Sequence, residues 1–352
     1  MVRRKRHRQS VYKQGGRMWT RECAAAWRLF IFNWIVIGII GAAFALSLVL
    51  TTFWIAWMHA RVELCGFAAI CAAFALYKII ARNRCDPQVV FVLGGAAQIF
   101  LITLLMAPFT YIPAAANFPM QDAALHRIDL AMGLDWLACV TFVNDRPLLA
   151  DWVNFGYNFI RWPLFIIPVV LAATQQYRRL QEYTLAFALA LVVTTAISTL
   201  VPALGVFQQL GLAITDFPNL NPSAYLQPLV DLPAVRDGTL RELRIDALTG
   251  IITFPSFHAA AAILYGWALW HTRWLRPIAL VANAIMLGAT PIVGGHYFID
   301  VLAGIVVAAL AIAAACGISR HRYAGVALSQ AAQAPAHATA ALPEGATASS
   351  VS

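Results

Sequence analysis

Two short stretches of this 352-residue chain concentrate groups that can do chemistry. One is Phe254-Pro255-Ser256-Phe257-His258; the other is Gly294-Gly295-His296-Tyr297-Phe298-Ile299-Asp300. In the second, His296 and Asp300 stand four residues apart, so a helix sets them on one face. A carboxylate there takes the proton of one ring nitrogen, fixes the tautomer and leaves the other nitrogen free to attack. His258, with an ordinary pKa of about 6.5, suits the protonation of a leaving group. Pro255 fits the first turn of a helix, where its missing N–H costs nothing. Ser256 and the open amides of that turn then suit an anion. Gly294 and Gly295 let the backbone approach a ligand closely just before the next helix. Together these groups describe phosphoryl transfer through a phosphohistidine.

The same residues admit other readings. His296 and Asp300 could be a buried structural pair, and His258 could simply cap its helix. His258, His296 and Asp300 are also a plausible metal set, although no further ligand stands nearby in the sequence. Ionisable groups at membrane depth can relay protons in a transporter. Against that reading, the polar residues gather at one face rather than near the midplane.

The elements that must position these groups follow from composition. Hydrophobic residues make up 61% of the chain and charged residues 12%, with a mean hydropathy of +0.70. Soluble domains hold roughly 45–50% apolar and about 25% charged residues. A soluble enzyme, a disordered chain and a secreted disulfide scaffold are therefore excluded. The six cysteines are scattered without a C-x-x-C, which points to free thiols rather than zinc or a redox pair. The fold class expected is all-α, a polytopic membrane helix bundle of about eight spans with a six-helix catalytic core. A span needs roughly 20 apolar residues, and the stretches that qualify are 29–57, 64–81, 89–112, 155–173, 183–203, 257–270, 274–293 and 297–316. The sixth reaches membrane length only if its helix starts near Phe254. The first is too long for a signal peptide and reads as an anchor.

Segments assigned to the inner side hold 18 of the 25 Lys and Arg but 4 of the 16 Asp and Glu. Both termini are therefore expected in the cytoplasm. The organisation expected is a basic cytoplasmic tail over 1–28, N-terminal helices over 29–112, a catalytic core over 113–316 that also draws on the helix at 89–112, and a disordered tail over 317–352. The tail Arg3-Arg4-Lys5-Arg6-His7-Arg8 reads as a topology determinant that touches anionic lipid; without aromatic context it does not suggest nucleic acid. Between His258 and His296 the chain runs inward, turns near Arg273 and Arg276, and returns. Both motifs should therefore meet at the non-cytoplasmic face.

At these residues the sequence resembles the type 2 phosphatidic acid phosphatase and haloperoxidase superfamily. Phe254-Pro255-Ser256-Phe257-His258 and Gly295-His296-Tyr297-Phe298-Ile299-Asp300 resemble its second and third signature motifs. The Gly-His-Tyr-x-x-Asp form looks more like the inositol phosphorylceramide synthase branch. The resemblance covers roughly residues 120–316. It implies that His296 is the nucleophile, Asp300 its orienting partner and His258 the acid, with no metal and no cofactor. It also implies a lipid phosphate or phospholipid substrate in a plasma membrane, a bacterial inner membrane being the expected one.

The sequence departs from that pattern at Thr290, where the phosphatases carry an arginine, and it lacks a faithful first motif. Other cations must then meet the phosphoryl charge. The candidates are Arg161, at the outer end of the fourth span, and Arg236, Arg241 and Arg244 before Phe254. Arg161 could instead snorkel to headgroups, and Arg241 with Arg244 could be a solvated charge run. Asp122, Asp129 and Asp135 could read a polar headgroup but suit a solvated surface better, and His59 and His126 read as loop or interface residues.

Overall fold

Hydrocarbon offers no partner for backbone polar groups, so apolar runs of this length close their hydrogen bonds internally as helices. The computed structural model describes residues 11–14, 17–82, 85–248 and 250–332. Helices make up almost all of its regular structure. A hairpin of β1 (Val11–Gln14) and β2 (Arg17–Thr20) leads into α1 (Arg21–Leu50). Then come the two-residue strand β3 (Trp54–Ile55), α2 (Arg61–Ala81), α3 (Pro87–Phe109) and the single turn α4 (Tyr111–Ala114). Three short helices follow, α5 (Asp122–Ala131), α6 (Trp136–Asn144) and α7 (Pro147–Asn158). The chain continues through α8 (Pro163–Ala173), α9 (Tyr177–Leu200), α10 (Val206–Leu210), α11 (Ser223–Asp237) and the strand β4 (Glu242–Leu243). It ends with α12 (Phe257–Leu269), α13 (Arg276–Val293) and α14 (Phe298–Ala332).

Six of the described helices are long and apolar enough to cross a membrane, and a bent pair brings the number to seven. The chain is an integral membrane protein built as an all-α bundle. Its outer faces are those lipid requires: Ile31, Ile35, Ile39 and Leu46 of α1 are exposed, while Leu29, Phe30, Ile37 and Phe44 turn inward. α2 buries no residue.

Three stretches differ from the expected spans. The first helix stops at Leu50 rather than 57, because residues 54–55 pair with β4 in a parallel register, Trp54 opposite Glu242. The fourth is not one straight span: Pro147–Arg161 and Pro163–Ala173 meet at 61°, where Pro163 offers no amide to the preceding turn. The sixth starts at Phe257, not Phe254, and is 13 residues long. At the C-terminal end, α14 runs on as helix to Ala332, past 317. The basic stretch Arg3–Arg8 and residues 333–352 lie outside the described residues.

α9 runs through the middle of the bundle against α1, α3, α8, α12 and α14, with Leu180, Tyr183, Leu185, Phe187 and Ala190 buried on it. Small residues let the neighbouring helices close in, as is usual in membranes. A Cβ on Gly304 of α14 would lie 2.3 Å from the Ser256 carbonyl, and one on Gly156 of α7 would lie 2.4 Å from Ile285 of α13. At one end of the bundle α5, α6, α7, α10 and α11 close over the starts of α12 and α14, with a core of their own that includes Trp136, Phe207, Tyr225, Val293 and Tyr297. On the same side the linker after α1 joins the segment around β4. Trp54 N donates to Arg241 O, Ala56 N donates to Leu243 O, and the Arg241 guanidinium sits 4.6 Å from the Phe53 ring centre.

Candidate active site

Ser256 caps α12, its hydroxyl accepting from Ala259 N at 3.4 Å. Pro255 therefore precedes the cap instead of occupying the first turn. The turn after Ser256 still presents its free amides. The backbone N–H of Ser256 donates to the Asp300 carbonyl at 3.0 Å, which joins the two motifs across a gap of 44 residues. His296 lies between them. Its Nδ1 is 3.2 Å from Asp300 Oδ2, and its Nε2 is 3.3 Å from Ser256 Oγ. Asp300 Oδ2 also accepts from Tyr297 N at 2.9 Å, while Oδ1 is buried without a partner among the described residues. Both side chains are buried, so the carboxylate acts on the imidazole with little screening by water.

His258 is the second residue of α12 and is half-buried. The ring of Tyr157, from α7, stacks on it with centroids 4.2 Å apart and planes 13° from parallel. The charges of His296 and Arg161 both reach His258. Arg161 itself is exposed, in the turn Phe159–Arg161 at the bend between α7 and α8.

The glycines are used for packing. Gly295 takes φ +63, and a Cβ there would meet Tyr225 at 2.8 Å and Phe207 at 3.2 Å, so protein fills the space expected for a ligand. Its carbonyl accepts from Val206 N at 2.9 Å. A Cβ on Gly294 would lie 2.7 Å from His296 Cδ2 and 2.8 Å from the Tyr157 ring.

The largest correction concerns two carboxylates read as solvated surface. Asp129 is 1% exposed and accepts from Phe298 N at 2.7 Å and Ile299 N at 2.9 Å, capping α14 from another helix. Burial pushes its carboxyl above the usual carboxylate value, and the two amides pull it part of the way back. Asp122 accepts from Leu204 N and Gly205 N and from the hydroxyl of Tyr297 at 3.0 Å. The signal for both was the spacing of Asp122, Leu125 and Asp129, which sets them on one face of a helix. Asp135 is exposed and caps α6 through Ala138 N.

Three arginines expected near phosphate are engaged elsewhere. Arg236 donates to Phe118 O; Arg241 donates to Val235 O and Leu240 O besides covering Phe53; Arg244 pairs with Asp246 at 3.1 Å. None of these bonds reaches His258, His296 or Asp300. Thr290 is buried and donates to Met286 O. Among the described residues no three His, Cys, Asp or Glu side chains are arranged to hold a metal ion. His59 lies exposed, 3.9 Å from Asp246.

The region built around this site is also the region that matches a known family. The profile of the PAP2 superfamily matches residues 123–314, more than half of the chain. The chain belongs to the PAP2 superfamily. No match is found among curated proteins or among solved structures. Superfamily membership brings a phosphatase- or phosphotransferase-type function in general terms. The matched stretch of this PAP2 chain includes both motifs, the capping carboxylate Asp129, and Arg161, whereas Asp122 and the helices α1–α3 precede it.

Proposed function

We propose that the protein is a membrane enzyme that transfers a phosphoryl or phospho-headgroup from a lipid substrate by way of a phosphohistidine. His296 Nε2 attacks phosphorus, and the P–N bond forms as the bond to the leaving oxygen breaks. His258 gives that oxygen its proton. In the second half His258 takes a proton from water or an alcohol, whose oxygen displaces His296. Asp300 keeps the proton on Nδ1 throughout, so that Nε2 carries the lone pair. Ser256 and the first amides of α12 receive the phosphoryl oxygens, and Arg161 supplies the positive charge that the transition state requires. Water as acceptor makes the enzyme a lipid phosphatase, and an alcohol makes it a headgroup transferase. The Gly-His-Tyr-x-x-Asp form favours the inositol phosphorylceramide synthase-like transferase. The Lys and Arg bias favours a site on the non-cytoplasmic side with both termini in the cytoplasm.

One observation carries this reading: His296 is held by Asp300 through Nδ1 while its Nε2 faces the cap of the helix that bears His258. The test uses protein purified in detergent with EDTA present, assayed for phosphate release and for headgroup exchange over a panel of lipid phosphates and phospholipids. His296→Ala should abolish whichever activity is found. Normal turnover by that variant would overturn the mechanism, and activity lost in EDTA but restored by a divalent ion would replace it with metal-assisted chemistry. A reporter fused after Trp270 should give a cytoplasmic signal; the opposite result would move the site to the other face.

A further inference from the structure

The end of the bundle away from the histidines holds a second group of charges that plays no part in the chemistry above. Arg178 and Glu182 pair at 2.9 Å one turn apart on α9, and Arg178 Nε also donates to Ser319 Oγ of α14 at 2.9 Å. Glu182 is buried, and Arg178 occupies it. Arg179 turns the other way. Its guanidinium lies 3.4 Å from the Trp267 ring centre and donates to the Trp267 carbonyl, while its Nε is buried with no partner among the described residues. Cys316 of α14 lies within reach of the charges of Glu182, Arg179, Arg320 and Arg178. Three guanidiniums and one carboxylate therefore lie within electrostatic reach of the same point on α14, an excess of positive charge among the described residues.

The surroundings set the depth of this group. Arg276 lies 3.6 Å over the Trp270 ring, and Trp274 is exposed, as in the aromatic belts found at headgroup level. Ile278 and Val281, in the first turns of α13 after Arg276, are exposed. A guanidinium partly withdrawn from water without an anion of its own is costly at a membrane boundary. Basic pockets between helices at this depth attract anionic headgroups.

We propose that Arg179 and Arg320 bind the phosphate of an anionic phospholipid from the leaflet meeting this end, with its acyl chains against the apolar start of α13. This lipid is distinct from the substrate, since the histidine site lies at the other end of the bundle. A free phosphate would satisfy the charges but leave the exposed tryptophans and aliphatic side chains without a role.

The test takes the full-length protein, stripped of lipid in detergent, and adds phosphatidylglycerol, phosphatidylcholine or inorganic phosphate. Retained lipid is read by native mass spectrometry and the unfolding midpoint by intrinsic fluorescence. Phosphatidylglycerol should be retained and raise the midpoint, with phosphatidylcholine and inorganic phosphate doing neither at the same concentration. Arg179→Gln and Arg320→Gln should each weaken retention by about fivefold. Arg320 is exposed, so its variant decides the matter if Arg179→Gln fails to fold. Equal retention of the two lipids, an equal effect of inorganic phosphate, or unchanged binding by Arg320→Gln would overturn the proposal.

Discussion

Asp129 accepts the amide proton of Phe298 at 2.7 Å, and with it the start of α14 is capped by a side chain 169 residues earlier in the chain. A helix usually satisfies its first amides with its own cap residue; here that task belongs to the short helix α5. The helix start held in this way carries Asp300, whose carboxylate meets His296. Asp129→Asn keeps the shape but turns one acceptor into a donor facing an amide N–H. The variant should lose about 1–3 kcal/mol of stability, measured as a lower unfolding midpoint, and its activity should fall with it. An unchanged midpoint would separate Asp129 from the stability of α14.

The same carboxyl gives a pH signature. Burial raises it above its ordinary 3.8, so the folded chain holds the proton more tightly than the unfolded chain. Stability linked to this group is then greatest below the unfolded value and falls as pH rises from 3.8 through the folded value. The wild type should show that decline in midpoint, and Asp129→Asn should lack it. Parallel profiles for the two proteins would mean that another group titrates there.

Removing His258 should matter in proportion to the leaving group. With a lipid alkoxide, which needs protonation, His258→Ala should lower kcat by about 10²–10⁴. With p-nitrophenyl phosphate, whose leaving group departs without help, the loss should be far smaller. A uniform loss on both substrates would assign His258 a role in binding rather than proton transfer.

Gly294 offers a steric test that spares all charged groups. A methyl group there would sit 2.7 Å from His296 Cδ2 and 2.8 Å from Tyr157, the ring on which His258 stacks. Gly294→Ala should therefore shift both imidazoles, and a displacement near 1 Å costs on the order of 10² in rate. Full activity in a folded Gly294→Ala protein would show that the loop tolerates the shift.

The arginines divide into two groups by the same kind of measurement. Arg161→Ala, at the bend near His258, should cost on the order of 10² or more in kcat/KM. Arg244→Ala breaks an exposed pair with Asp246 and should change stability by less than about 1 kcal/mol and activity little. The reverse ranking would return the phosphate-binding role to the segment before Phe254.

Much of this architecture was legible in the residues. Apolar runs announced the spans, and the His296–Asp300 spacing announced their shared contact. The turn between α12 and α13 announced that the two motifs would come to neighbouring helix ends. The exceptions have physical causes. Thr51 turns its hydroxyl back to Ser47 O at the end of α1, and Trp54–Ile55, apolar enough to prolong the span, pair with β4 instead. Proline bends the fourth stretch, which hydropathy alone cannot register. Asp122 and Asp129 were misjudged because a carboxylate in a polar loop looks solvated until its acceptor role for distant amides is seen. Arg241 attracted attention as a cation, whereas its packing on Phe53 depends on a ring nearly 190 residues away in sequence.

The clasp between Trp54–Ile55 and Glu242–Leu243 bears on how the protein can be taken apart. The family match begins at residue 123, yet the segment leading to Phe254 is zipped to a strand that lies well before it. Cutting the chain at the edge of the match would strip that segment of its pairing partner and of the ring beneath Arg241. A chimera that replaces α1 and α2 must carry the matching stretch around β4 with them. The helix pair and the core are exchangeable only as a matched set, like two halves of one fastener.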